Sequence, residues 1–230
     1  MSVPCPCKKW DSDLKNYMLA CLPSVGLIIG LLWAAACLLL IWIGTPFLVL
    51  SFIMTFLLFA LCGFMHLDGF MDVCDAVLSR RDLPERRRIL KDSHCGAFAV
   101  IGMVLLACAQ WSVAMANPTV PLLPLLLIPV ASRACAALAV LTLRPMESSQ
   151  YAAMTGKKAP YTAFAALMLA ASVMVPLAVW GSFAPLAAAV GYGAALWYAC
   201  RQLGGMSGDV SGFALTLGEL CGLAVLTLVR

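Results

Sequence analysis

Between His66 and Asp75 the chain reads HLDGFMDVCD, which sets Asp68, Asp72 and Asp75 between apolar segments of a sequence that is 63% hydrophobic. On a helix these positions fall at i, i+4 and i+7 and share one face. At roughly 6 Å and an effective dielectric of about 20, each ionised pair repels by on the order of 3 kcal/mol. A bound hard cation such as magnesium removes that penalty. It takes carboxylate oxygens, keeps several waters and is completed by substrate phosphates, so phosphoryl chemistry at a membrane surface is the expected use of such a trio. A solvated polar turn is the plainer alternative.

Two further polar stretches return to the same depth. The connection 66–95 continues through Leu83-Pro84-Glu85, which reads as a helix start, into a short basic helix carrying Arg86, Arg87 and Arg88, with Lys91 after it. Those cations suit either a wall beside a phosphate site or a juxtamembrane anchor for anionic headgroups. Asp92-Ser93-His94-Cys95-Gly96 then adds a carboxylate beside the first three. Later, Gly204-Gly205-Met206-Ser207-Gly208-Asp209 forms a glycine-rich entry to the last apolar run, able to bring backbone N–H groups near phosphate oxygens but lacking the lysine and spacing of a P-loop. Arg133 and Glu219 stand inside apolar segments, where an ionisable group costs roughly 2.5 kcal/mol or more. They face protein interior, as site residues or as a pair with each other.

The elements that must position these groups are membrane helices. With mean hydropathy +0.97 and only 11% charged residues, the 230-residue chain reads as an all-α, polytopic transmembrane bundle forming one integral-membrane catalytic domain. The apolar segments run over Met18 to Ile43, Pro46 to Met65, Gly96 to Ala116, Val120 to Leu143, Tyr161 to Trp180, Ala184 to Cys200 and Phe213 to Val229, about seven spans. Continuous apolar runs exclude an alternating barrel strand pattern. The first run is too long for a signal peptide and has no small-residue cleavage site after it.

Lysine and arginine sort to one side. Lys8, Lys9 and Lys15 precede the first segment; Arg80, Arg81, Arg86, Arg87, Arg88 and Lys91 follow the second; Arg144, Lys157 and Lys158 follow the fourth; Arg201 follows the sixth. The alternate connections near Gly44, Asn117 and Gly181 carry no charge. The positive-inside rule therefore puts segment 1–17 and the charged loops in the cytoplasm. The formal net charge of +4 then reflects topology and attraction to anionic lipid, not nucleic acid. The eleven cysteines lie mostly in apolar runs as small hydrophobes, and Cys5 and Cys7 have no second pair to make a zinc site.

HLDGFMDVCDA, then KDSHCG, then GGMSGDVSG with Glu219 beyond, resembles the cobalamin synthase family, the adenosylcobinamide-GDP ribazoletransferases, over nearly the whole chain. Asp68, Gly69, Asp72, Asp75, Asp92, Ser93, Gly96, Gly204, Gly205, Gly208 and Asp209 match the family pattern. Ala76 stands where Gly is usual, His94 where Arg is usual, Ser207 where Thr is usual, and Thr216 where a Glu is common. The resemblance implies a bacterial inner-membrane enzyme, facing the cytoplasm, that joins adenosylcobinamide-GDP to α-ribazole or its 5′-phosphate and releases GMP. It implies Mg2+ held by Asp68, Asp72 and Asp75; catalytic roles for Asp75, Asp92 and Asp209; and substrate contacts from His66, Ser93, His94, Arg133, Gly204, Gly205, Ser207 and Gly208. Membrane lipid surrounds such a protein, nucleic acid is no partner, and a homo-oligomer is compatible with it. A CDP-alcohol phosphotransferase is a close mechanistic alternative, but Gly69-Phe70-Met71-Asp72-Val73 lacks its D-G-x-x-A-R opening. A transporter is the alternative from another class; the carboxylates gather at one edge, and no duplicated half is apparent.

The charge pattern generates a topological expectation. Cysteine accessibility or reporter fusions will place Arg86, Lys157 and Arg201 on one side of the membrane and Asn117, Gly181 and Ser182 on the other. Opposite locations for Arg86 and Lys157 would break the span order.

Overall fold

A computed structural model describes residues 18–19, 21–117, 121–146, 149 and 159–229. Segment 1–17, with Cys5 and Cys7, lies outside the described residues, as do Lys157 and Lys158. Nine helices run through the described residues: α1 (Leu22–Trp42), α2 (Phe47–Leu61), α3 (Met65–Leu78), α4 (Leu83–Ile89), α5 (Ala97–Ala114), α6 (Leu122–Thr142), α7 (Ala159–Trp180), α8 (Ala184–Leu203) and α9 (Gly208–Leu228). The only β feature described is an isolated bridge between Pro145 and Met206.

Each expected apolar segment contains a helix. Five of these, α1, α5, α6, α7 and α9, are long and apolar enough to cross a membrane, and α2 with α3 makes a sixth if that bent pair is one span. The 15-residue α2 is short for a bilayer by itself. The alanine- and glycine-rich α8, closed by Arg201 and Gln202, completes the bundle. The connection 66–95 is more ordered than a loop, since most of it is α3 and α4.

Local sequence sets the helix ends. Prolines occupy the first turns of α1, α4 and α8, where the missing N–H costs nothing. Gly204 closes α8 at φ +79°, a left-handed position natural to glycine. Ser207 then opens α9, its hydroxyl accepting the Val210 N–H at 3.2 Å.

The centre of the bundle is α6 and α9, each 72% buried over its apolar window, against 17% for α7. Lipid gives helices no hydrophobic reason to associate, so close packing of small residues must serve. Gly26 and Gly30 let α1 lie directly along α6: a Cβ on Gly26 would stand 2.5 Å from the Pro129 carbonyl oxygen, and one on Gly30 would collide with the Leu126 carbonyl. Gly218 and Gly222 do the same for α9 against Ala188 of α8.

At the end of α2 the chain turns by 89°. Gly63 at φ 60° and Phe64 at φ 59° are both left-handed, and the turn sends α3 across α9 and α5 instead of onward along α2. For phenylalanine that conformation is unfavourable by about 1–2 kcal/mol, so its surroundings must hold it.

Gly30→Val tests the tight α1 crossing. It will destabilise the bundle by about 1–3 kcal/mol through overpacking, read as a lower unfolding temperature in detergent. An unchanged midpoint would mean that α1 does not approach α6 this closely.

Candidate active site

The period of α3 divides its residues as the sequence predicts. Phe70, Val73, Cys74 and Val77 are buried, with the Phe70 ring stacked on Phe213 of α9 at 5.4 Å. The carboxylates take the other side. Asp68 and Asp72 line a cavity of about 230 Å³ together with Asp92, Ser93, His94 and Cys95 from the turn before α5. Within that turn the His94 backbone N–H donates to Asp92 Oδ1 at 3.0 Å, and its ring Nδ1 stands 2.6 Å from the same oxygen. These hydrogen bonds hold the Asp92 carboxyl below the usual carboxylate range.

Asp209 reaches the same place from α9. A Cβ on Gly69 would lie 2.8 Å from Asp209 Cα, and one on Gly212 would lie 3.2 Å from the His66 carbonyl oxygen, so α3 and α9 cross backbone on backbone. Asp72 consequently sits in the field of Asp68, Asp209 and Asp75 together. Asp209 itself lines a second cavity, about 250 Å³, with Lys91, Met146, Ser149, Ser207 and Gly208. Lys91 and Asp92, neighbours in sequence, thus serve different cavities.

Asp75 points elsewhere. One oxygen accepts the Gly96 N–H at 2.5 Å and the other the Ala99 N–H at 3.0 Å, which caps the first turn of α5 with a charge of favourable sign. Gly96 is required there, because a Cβ would run into the carboxylate.

The arginines of α4 are also engaged. Arg86 donates to the Gln202 side chain and, at 3.3 Å, to its carbonyl; Arg87 donates to the carbonyls of Leu203 at 2.9 Å and Gly204 at 3.3 Å. They satisfy the C-terminal end of α8. Arg88 pairs with Glu85 at 2.7 Å. Of the expected cationic wall, Lys91 is the member that lines a cavity. The glycine-rich segment is likewise held by backbone pairing: Met206 N–H donates to Arg144 O at 3.2 Å, and Met146 N–H to Met206 O at 2.9 Å. Gly204 and Gly205 shape this turn, while Ser207 and Gly208 reach the cavity.

His66 and Arg133 line neither cavity. His66 lies in the first turn of α3, its backbone against Gly212. Arg133 is wholly buried in an ion pair with Glu219 at 2.6 Å. Sequence reasoning placed Lys91 in the cationic wall but passed over Met146 and Ser149. Only the pairing of Arg144–Met146 with Met206 brings those two in.

Among the described residues, no three His, Cys, Asp or Glu side chains form a ready-made metal cage. The donor set still fits magnesium. Asp68, Asp72 and Asp209 offer hard oxygens of one sign, and no salt bridge among the described residues involves them. Magnesium ordinarily takes only one or two carboxylates and completes its octahedron with water and phosphate.

These features define a polytopic helical membrane protein with an acidic, two-cavity site where α3, the turn before α5 and the start of α9 meet. Residues 2–227 match the family model of cobalamin-5-phosphate synthase, and the chain belongs to that family. It is 33% identical to the adenosylcobinamide-GDP ribazoletransferase of Clostridium botulinum (strain Alaska E43 / Type E3) over 96% of this chain and 90% of that one. The protein of the same name from Clostridium perfringens (strain 13 / Type A) is 33% identical over 99% and 93%. That of Halalkalibacterium halodurans is 32% identical over 92% and 85%. No solved structure matches the chain.

Asp75→Ala separates support from chemistry. It will remove the α5 cap and lower stability by about 1–3 kcal/mol in denaturant titrations in detergent. A variant as stable as the native chain would return Asp75 to the group of carboxylates free to bind ligand.

Proposed function

We propose that the chain joins adenosylcobinamide-GDP to α-ribazole, or to α-ribazole 5′-phosphate, and releases GMP. The observation that carries this reading is the meeting of Asp68 and Asp72 on α3 with Asp209 on α9 in a chain of the cobalamin-5-phosphate synthase family. A ribazole hydroxyl oxygen bonds to the phosphorus attached to cobinamide. The bond from that phosphorus to the bridging oxygen breaks, its electron pair leaves with GMP, and the hydroxyl proton passes to a carboxylate. The product is adenosylcobalamin or its 5′-phosphate.

The two cavities divide the work. Asp68 and Asp72 would hold magnesium, which when bound neutralises the diphosphate and the carboxylates' mutual repulsion. Asp92, kept ionised by His94, is better suited to orienting a hydroxyl than to taking its proton. Asp209, which lines the second cavity and acts electrostatically on Asp72, takes the hydroxyl proton. Lys91 with Ser207 and Gly208 provides a positive, hydrogen-bonding bed for phosphate oxygens, and Ser93 and His94 provide donors in the other cavity. Asp75 acts by fixing α5 against α3 and not as a ligand or base. The one-sided distribution of lysine and arginine supports a bacterial cytoplasmic membrane location with this mouth facing the cytoplasm.

The test is GMP release by purified protein in liposomes supplied with adenosylcobinamide-GDP, α-ribazole and magnesium. Release will stop with chelator and return with the ion. Asp72→Asn will reduce it at least a hundredfold without lowering the unfolding temperature, because the change relieves repulsion instead of removing a contact. Undiminished turnover of Asp72→Asn would sink the assignment.

A further inference from the structure

The buried Arg133 belongs to neither cavity, yet it touches the part of the chain that aims one of them. From α6, its Nη1 donates to Glu219 Oε1 of α9 at 2.6 Å and to the Pro129 carbonyl at 3.3 Å, while Ser132 Oγ donates to the same Glu219 oxygen at 3.1 Å. The other arm of the guanidinium, Nη2, donates to Cys62 Sγ at 2.9 Å. Cys62 is the C-cap of α2, immediately before the left-handed pair Gly63 and Phe64. One planar side chain therefore ties α6, α9 and the α2–α3 elbow together.

As a source of stability this arrangement is poor. A buried ion pair recovers little beyond its own desolvation, and Arg133 Nε is buried without a hydrogen-bond partner among the described residues. What the fork does provide is geometry, since its two arms are rigidly related and cannot serve Glu219 and Cys62 unless the elbow stands in one place. The elbow needs such a hold, because Phe64 occupies a conformation unfavourable to it. Its orientation decides where α3 meets α9, and hence how Asp68 and Asp72 face Asp209.

We propose that Arg133 is a positioning residue: paired to Glu219, it latches the α2–α3 elbow through Cys62 and so sets the register of the α3 carboxylates against Asp209. This deepens the reading of the site as a ribazoletransferase centre and rests on it. Removing the sulfur acceptor is the cleanest test, because Cys62→Val leaves the ion pair whole and Cys62→Ser restores an acceptor. In liposomes, Cys62→Val will lower kcat at least tenfold with KM for both substrates within twofold, and Cys62→Ser will recover most of it. Arg133→Lys keeps a charge for Glu219 but loses the fork, and will behave like Cys62→Val. Hydrogen–deuterium exchange without substrate will show faster uptake across residues 63–78 in Cys62→Val, with α6 and α9 unchanged. Native kcat in Cys62→Val overturns the latch, as does uptake that rises uniformly while the folded fraction turns over normally. The exchange measurement does not depend on activity. A native protein that releases no GMP would therefore refute the proposed reaction while leaving the elbow result to be read separately.

Discussion

The backbone crossing of α3 and α9 at Gly69 is the constraint on which the site depends. Two helices that carry like charges tend to separate, and here Asp68 and Asp72 on one must stand beside Asp209 on the other. What opposes separation is apolar and lies directly beneath the charges: the Phe70 and Phe213 stack and the absence of a side chain at Gly69 and Gly212. A single methyl at Gly69 would press on Asp209 Cα itself, a backbone atom that cannot step aside as a side chain can. The repulsion is thus held in reserve by packing, which is the condition for a ligand of opposite charge to be bound by relieving it.

The remaining charged residues divide by partner and not by proximity to the mouth. Arg86 and Arg87 serve helix carbonyls, Arg88 serves Glu85, Arg133 serves Glu219, and Asp75 serves the start of α5. Apart from the exposed Arg88–Glu85 pair, these contacts satisfy groups that are costly to leave unpaired away from water. Asp68, Asp72, Asp209 and Lys91 enter none of the salt bridges among the described residues, and all four line cavities.

That division explains what could be read from the sequence. The apolar runs and the i, i+4, i+7 spacing are local properties, so the helices and the shared face of Asp68 and Asp72 follow from them directly. The start of α4 at Leu83-Pro84-Glu85 follows for the same reason. Asp75 sits at an equally regular spacing, yet its oxygens are engaged by Gly96 and Ala99, and that depends on where α5 begins in space. The same holds for Arg86 and Arg87 of α4, whose partners lie 116 or 117 residues away. Periodicity places a side chain on a face; it does not say what stands opposite.

The elbow between α2 and α3 accounts for the site lying at an end of the bundle. Had the chain continued straight past Cys62, the α3 carboxylates would have run alongside α2 toward lipid. The 89° turn instead lays them across the start of α9, beside the Lys91–Cys95 segment. This argues against a transport path. The ionisable groups inside the bundle, Arg133 and Glu219, neutralise each other, and the carboxylates left for ligands open at one mouth, as group transfer between two bulky substrates requires.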